Sequence, residues 1–176
     1  MKIVTATLAG LLMSGSALAG AEVGAIVGYD SMSASSGGDS LSGLAFGLRG
    51  GTRTDSGLAF EGQFLRHSGS TEVMGIEASV NQMVIGAGTR FYIGDGNVTP
   101  FVGGHLNYHL GAKASVMGLS ASVPGSSGLG LDAAGGAQFG IGDTLYAEAL
   151  AYYSLQLTGD IKYNTLAFGA GFGAKF

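Results

Sequence analysis

The last eleven residues of the chain restrict its possible folds more than any other segment. Apolar residues occupy every second position of this stretch: Leu166, Phe168, Ala170, Phe172, Ala174 and Phe176. Successive side chains of a β-strand point to opposite faces, so the pattern predicts a strand with one apolar face and one small or polar face. In water such an apolar face is covered by other elements, whereas in a membrane barrel it faces lipid.

The first residues have the pattern of a secretory signal peptide. Lys2 supplies a positive charge, residues 3–13 are largely apolar, and Ala17 and Ala19 are small residues at the positions that a signal peptidase reads. The apolar run is too short for a spanning helix. We expect cleavage after Ala19, with Ala21 as the alternative, which leaves residues 20–176 as one domain. The chain is therefore predicted to be exported.

The composition is apolar, yet the apolar residues are dispersed along the chain. Hydrophobic residues make up 46% of the sequence and charged residues only 11%, against about 25% charged in ordinary soluble domains. Beyond the signal peptide there is no run of eighteen apolar residues, so no spanning helix is expected. Alternating strands, with one face toward lipid and one toward a lumen, explain both observations.

Two simple counts exclude whole classes of function. The chain has no cysteine, so neither a disulfide framework nor a thiolate metal site is possible. Its formal net charge is −4, with the charges scattered along the chain, and this gives no reason to expect nucleic acid as a partner.

Seven further segments alternate in the same way as the terminal one. They are residues 22–32, 41–53, 57–67, 77–93, 98–110, 129–141 and 144–156. Each is long enough for the roughly 9–11 residues that a tilted strand needs to cross a bilayer. The start of the fourth segment has reversed parity at Ile76, Ala78 and Val80, which indicates either a bulge or an extension beyond the bilayer.

The connections between these segments alternate in length. Short turns are expected at residues 54–56, 94–97 and 142–143, and longer Ser- and Gly-rich loops at 33–40, 68–75, 111–128 and 158–162. Short turns at one end and longer loops at the other are typical of outer-membrane barrels. The loop 111–128 is unusually apolar. It could form an extended hairpin, lie in the barrel mouth or contact a partner.

The chain resembles the small eight-stranded outer-membrane proteins of the OmpA, OmpX, OmpW and NspA type. The resemblance rests on the signal peptide, the strand pattern, the segment Thr99-Pro-Phe-Val-Gly-Gly104 and the final Phe176. It implies an all-β, eight-stranded antiparallel up-and-down transmembrane β-barrel in the outer membrane of a Gram-negative bacterium. It also implies a non-enzymatic protein without a cofactor, whose Phe172 and Phe176 form an assembly signal.

The partners that this resemblance implies are those of a surface barrel. Outer-membrane lipids and lipopolysaccharide would surround it, and periplasmic chaperones and the barrel-assembly machinery would act during biogenesis. The longer loops could carry an extracellular ligand.

Most charges that fall within the strands lie on the inward parity; Arg66 and Glu77 are exceptions, and both lie at expected strand ends near the longer loops. A charge facing lipid at mid-bilayer costs about 2–4 kcal/mol for Arg or Lys, so this placement supports the strand assignment. We hypothesise a polar network that plugs the lumen, formed by Arg49, Glu61, Arg90, Asp132, Glu148 and Lys175.

Turn symmetry predicts two cross-strand pairs within this network. Folding about Asp55 would place Arg49 directly opposite Glu61. Folding near Asp143 would place Glu148 opposite Gln138. An enclosed Arg–carboxylate pair has little solvent to screen it, so the loss of either partner would be costly.

Geometry disfavours two sharper chemical hypotheses, a metal site and a lipid-modifying enzyme. His105 and His109 share a strand face, but four residues span about 13 Å along a strand, too far for one metal ion. His67, Ser68 and Glu72 suggest a lipid-modifying hydrolase. Because adjacent strand residues point to opposite faces, His67 and Ser68 make a poor base and nucleophile.

Two alternative interpretations of the alternating pattern have to be considered. Apolar interior positions such as Ile26, Leu65 and Leu150 permit a narrow path for small or hydrophobic compounds, as proposed for the OmpW group. A soluble lipocalin-like barrel is disfavoured, because its exposed face would then consist largely of glycine.

Overall fold

The computed structural model describes residues 20–35, 37, 40–73 and 76–176. The predicted signal peptide lies outside these residues. The strands are β1 (Ala21–Ala34), β2 (Leu41–Arg53), β3 (Leu58–Val73), β4 (Ile76–Tyr92), β5 (Val98–Val116), β6 (Leu119–Ile141), β7 (Leu145–Gln156) and β8 (Tyr163–Lys175).

The strands follow one another around a closed antiparallel barrel, in which each pairs with its neighbours in sequence. The barrel is closed by β1 and β8, where Tyr29 stands opposite Phe168. The predicted fold class, an eight-stranded antiparallel up-and-down barrel, is confirmed. Among the described residues no helix is long and apolar enough to span a membrane.

The two faces of the sheet differ as the alternation predicts. The outer face is apolar, and Leu48, for example, is 60% exposed on it. The inner face holds the polar side chains, and Arg90 is only 1% exposed there. Eight strands enclose a lumen that side chains can fill, so these inward side chains meet one another across the barrel.

The register of β2 with β3 differs from the predicted one. Arg49 stands opposite Gln63, and Glu61 stands opposite Gly51, so the predicted direct pairing of Arg49 with Glu61 is wrong. The cause is Gly57, which has a φ of +82° and belongs to the turn instead of the strand. The turn is therefore centred one residue later than Asp55, which shifts the pairing by two residues. The other predicted pair, Gln138 with Glu148, is confirmed.

Two of the expected loops are strand instead. β3 and β4 continue through most of residues 68–75, and β5 and β6 continue through most of 111–128. The expected loop at 68–75 is therefore wrong. Residues 111–128 form the extended hairpin, which is one of the three arrangements considered for this segment. The ends of these four strands near residues 68–75 and 111–128, which we call their upper parts, pair with one another. They form a sheet that continues beyond the rest of the barrel.

The reversed parity at the start of β4 results from this extension. β3 and β4 pair without a shift from Leu58 to Val73. The shift lies between β4 and β5, where Gln82 pairs with Ala112 but Val84 pairs with His109. The two-residue interval from Gln82 to Val84 in β4 is thus opposite a three-residue interval from Ala112 to His109 in β5. The additional residue therefore lies in β5. Ile76, Ala78 and Val80 therefore lie on the lumen side of the sheet, whereas the apolar residues further along β4, such as Ile85, face outward.

Candidate functional site

Four charged side chains from four strands meet in the lower half of the lumen. Arg90 lies between two carboxylates: its Nε is 2.8 Å from Glu61 Oε1, and its Nη1 is 3.1 Å from Glu148 Oε2. Arg49 also pairs with Glu148, and its Nε is 4.0 Å from Glu61 Oε2. Two guanidinium groups and two carboxylates therefore form one cluster of balanced charge, which we call the lumen cluster.

Aromatic rings and glycines shape the space around the lumen cluster. The Arg90 guanidinium lies 4.2 Å from the centre of the Phe101 ring, and Arg49 donates to the Tyr146 hydroxyl at 3.4 Å. Gly171 of β8 leaves room for Glu148, since a Cβ built on it would lie 2.6 Å from Glu148 Oε1. The small inward residues of the terminal strand thus accommodate the large ones opposite.

His105 of β5 extends the lumen cluster to a fifth strand. Its Nε2 is 2.7 Å from Glu61 Oε1, the oxygen that also contacts Arg90. The sequence placed His105 on the inner face but gave no sign of this partner, because the contact crosses the lumen between strands that are not neighbours.

The other two residues of the predicted network lie outside the lumen cluster. Asp132 accepts a hydrogen bond from Gln63 Nε2 at 2.9 Å. Lys175 is half-buried, with its Nζ 5.7 Å from the centre of the Tyr146 ring, at the end of the barrel where the chain ends. The structure thus brings together four of the six predicted residues: Arg49, Glu61, Arg90 and Glu148.

A second buried polar group lies higher in the lumen. His67 Nδ1 is 2.8 Å from Asp30 Oδ2 and 3.4 Å from the Tyr152 hydroxyl. Sequence reasoning placed His67 at a loop entry and missed this pairing, because Asp30 of β1 and His67 of β3 share the inward parity but lie on strands separated by β2. Ser68 lies on the opposite face of β3, so the structure does not bring a nucleophile to His67.

The histidines do not combine into a metal site. His105 is engaged with Glu61, and both ring nitrogens of His109 are buried without a hydrogen-bond partner. Within the described part of the chain, no group of three or more His, Asp or Glu side chains is arranged to hold a metal ion.

Small cavities remain beside the lumen cluster. One, of about 10 Å³, is lined by Glu22, Arg49 and Glu61 among others. The other, also of about 10 Å³, is lined by residues including Gln63 and Asp132. The arrangement can hold isolated water molecules, but large side chains cross the lumen between the two ends of the barrel.

The two terminal phenylalanines face outward. Phe172 is exposed on the apolar surface of β8. Phe176 follows the end of β8, is 80% exposed, and donates its backbone N–H to the carbonyl oxygen of Ala21 at 2.8 Å. Its side chain is therefore available to a partner.

Comparison with solved structures identifies relatives of the same fold. Neisserial surface protein A (NspA) is similar at a TM-score of 0.72 and 20% identity, over 89% of this chain and 97% of that chain. Ail, the attachment invasion locus protein of Yersinia pestis, is similar at 0.54 and 23%, over 89% and 99%. The N-terminal barrel of Pseudomonas aeruginosa OprF is similar at 0.50 and 9%, over 89% and 98%. Identities this low show a shared fold.

Sequence comparisons give the family. No curated protein sequence matches the chain significantly. Residues 5–176, nearly the whole chain, match the model of the outer membrane protein beta-barrel domain. The closed eight-stranded barrel and the charged lumen are in keeping with this match, and the chain belongs to the outer membrane protein beta-barrel family.

Proposed function

We propose that this protein is a structural barrel of the outer membrane with a sealed lumen, and that its extracellular hairpins serve recognition. The observation that carries the proposal is the lumen cluster, in which Arg49 and Arg90 bind Glu61 and Glu148 across the barrel. All four side chains are buried.

The charges of this cluster resist separation. A buried ion pair that loses one partner leaves an uncompensated charge, and this typically costs about 3–5 kcal/mol. An ion moving through the barrel would have to displace Arg90, which contacts both carboxylates at once. The cluster therefore favours a closed lumen over an open polar path.

Conductance across planar bilayers tests the sealed lumen. The purified full-length mature protein is expected to give no discrete conductance steps. Arg49→Ala keeps the Arg90 contacts and is expected to stay closed. Discrete steps from the native protein would contradict the proposal, and steps only from the variant would indicate a gated polar path.

A narrow path for small hydrophobic compounds is the second candidate. The inner face carries an apolar cluster that includes Ile26, Leu65, Val84 and Leu150. These side chains are packed against one another and against buried aromatic rings, so they support a filled interior better than a conduit. Vesicles containing the protein should take up a small apolar dye no faster than empty vesicles.

An enzymatic role is not part of the proposal. A lipid-modifying hydrolase would need His67 beside a hydroxyl, but His67 is engaged with Asp30 inside the barrel and Ser68 is on the other face. Mass spectrometry of lipid A should therefore give the same species from cells with and without the protein.

The family supports a proposal about the surroundings of the barrel. We propose that the apolar outer face contacts outer-membrane lipids and lipopolysaccharide, that Phe172 and Phe176 are read by the barrel-assembly machinery, and that chaperones hold the chain in the periplasm. Recovery in the outer-membrane fraction, with a mobility shift between boiled and unboiled samples, would support this placement. Recovery in the soluble periplasm would contradict it.

The charges near the extracellular end guide the choice of ligand. Ail was solved in complex with the heparin analogue sucrose octasulfate, a polyanion. Here the charges of the hairpins and of the β7–β8 connection are mixed, with Glu72, Glu77 and Asp160 beside the cations Lys113 and Lys162. We therefore propose that an extracellular ligand of this protein is not a sulfated polyanion.

A further inference from the structure

A row of serines crosses six neighbouring strands of the barrel. Each strand from β1 to β6 contributes one serine, and each serine is paired directly with the next: Ser31, Ser42, Ser70, Ser79, Ser115 and Ser120. Neighbouring strands lie about 4.8 Å apart, so the hydroxyl groups recur at nearly that spacing. Strand pairing uses backbone groups, so the fold does not require serine at these positions.

The row lies on the outer face of the sheet. In β1, Ser31 alternates with Asp30 and Met32, which are both buried in the lumen. In β5, Ser115 has the opposite parity to buried Ala112. All six serines are exposed or half-buried, so their hydroxyl groups can reach a molecule that lies beside the barrel.

The fold uses few of these hydroxyl groups. Of the side-chain hydrogen bonds formed within the described part of the chain, one involves the row: the Oγ atoms of Ser115 and Ser120 are 2.6 Å apart. The other serines of the row keep their hydroxyl groups for water or for a ligand.

A second polar row runs beside the first on β3 to β6. Its members, each paired directly with the next, are Ser68, Asn81, Lys113 and Ser122. Arg66 donates from Nη2 to Asn81 Oδ1 at 2.9 Å, which orients the amide of Asn81. Two residues further down β4, Met83 is apolar and 43% exposed, so the polar rows border directly on the lipid-facing surface. We call the two rows together the serine face.

The rows climb the barrel as a spiral. A row that starts at Ala21 of β1 and follows the paired residues once round the sheet returns to β1 at Ser31, which is 31 − 21 = 10 residues further up the strand. The row of serines continues this spiral, from Ser31 near exposed Tyr29 to Ser120 near the hairpin tip. The serine face therefore begins at the edge of the apolar surface and rises away from it.

The chemistry of the serine face matches that of a saccharide. Serine hydroxyl groups both donate and accept hydrogen bonds, as sugar hydroxyl groups do. Lys113 is the one charged residue in the two rows. Glu72 stands directly opposite Glu77 immediately above them, so a phosphate group on this face would meet two carboxylates. Charge complementarity thus favours an uncharged, hydroxyl-rich ligand.

The position of the serine face indicates which saccharide reaches it. The face points sideways from the barrel and is continuous with the surface that contacts lipid. A membrane lipid that carries sugars on its headgroup would hold its acyl chains against that surface and its sugars against the serine face.

We propose that the serine face binds the saccharide portion of lipopolysaccharide, through the hydroxyl groups of β1–β6 and not through pairs of cation and phosphate. Ser79 and Ser115 lie in the middle of the sheet and contact the sugars. The site occupies one side of the barrel, since the row ends where Ser31 pairs with Leu166 of β8. The proposal rests on the contact with lipopolysaccharide proposed above and names the part of the lipid that is recognised.

Two lipids that differ only in their neutral sugars test the proposal. Native mass spectrometry measures the binding of the full-length mature protein, in detergent micelles, to lipopolysaccharide with a complete unphosphorylated core and to a truncated form that ends at the innermost acidic sugars. The complete form is expected to bind about tenfold more tightly. The double variant Ser79→Ala, Ser115→Ala is expected to lose that about tenfold advantage, as for the loss of two hydrogen bonds, and to bind the truncated form like the native protein.

The matched control is Ser56→Ala, in the short turn at the other end of the barrel, which is expected to leave both affinities unchanged. Native electrophoretic mobility without boiling shows that each variant is folded. Equal affinity of the native protein for the two lipids would overturn the proposal, as would a loss of binding in Lys113→Gln but not in the double serine variant. Equally tight binding of soluble dextran would also overturn it, since the occupant would then not be the membrane lipid. Each of these outcomes leaves the outer-membrane placement intact, because fractionation of cells tests that placement separately.

Discussion

At the scale of single residues, the alternation of the sequence is sufficient to predict which side chains face the lumen and which face lipid. The inward parity of Arg49, Arg90 and Glu148 could be predicted, because a strand offers only two faces and one of them is lipid. The contact partners of these side chains could not be predicted. Contacts such as that of His105 with Glu61 join strands that are not adjacent, and they depend on side-chain length across a closed lumen.

We expect Arg49 to contribute more than Lys175 to the stability of the barrel. Arg49→Met leaves Glu148 with one partner fewer, and the free energy of unfolding is expected to fall by about 3–5 kcal/mol. Lys175→Met is the control, since Lys175 is half-buried and outside the lumen cluster, and about 1 kcal/mol or less is expected.

Urea unfolding in lipid vesicles measures this difference. The chain contains no tryptophan, so circular dichroism and electrophoresis without boiling are the suitable readouts. Equal losses from the two substitutions would show that the charge cluster contributes no more than a partly exposed lysine.

At the scale of elements, the sequence predicted the strands well where they cross the membrane and poorly beyond it. The bounds of β2, 41–53, are the predicted ones. β6 begins at Leu119, ten residues before the predicted 129, because the Ser- and Gly-rich composition of this segment predicts a loop. In that region the strands are held by pairing between hairpins, and composition carries little information about such pairing.

The terminal residue should matter for assembly more than for stability. In the folded barrel Phe176 contributes one backbone hydrogen bond, to Ala21, and its side chain is largely exposed. Deletion of Phe176 is expected to change the unfolding free energy of the refolded protein by about 1 kcal/mol or less, while the amount found in the outer membrane of cells falls several-fold.

Phe176→Tyr keeps an aromatic ring and is expected to restore the amount in cells. Normal levels after the deletion would remove the terminal aromatic from the assembly signal. A large loss of stability in the refolded protein would show instead that the residue acts in the finished barrel.

At the scale of the whole molecule, the barrel has a long end and a short end, and the two should lie on opposite sides of the membrane. The chain has no cysteine, so single introduced cysteines report position cleanly. Met117→Cys, at the hairpin tip, is expected to react with a membrane-impermeant maleimide in intact cells. Asp143→Cys, in a short turn, is expected to react only after the outer membrane is permeabilised. The reverse pattern would invert the proposed orientation.

Closure of the sheet has a consequence for the timing of folding. Glu22 pairs with Lys175, so the closing contact joins positions 175 − 22 = 153 residues apart. Contacts between such distant positions slow folding, because much chain entropy is lost before they form. Until β8 arrives, β1 and β7 each keep an unpaired side, and a shortened chain would keep these permanently. Pairing of β8 therefore removes both free strand edges. A chain that lacks β8 would retain two edges at which it could aggregate.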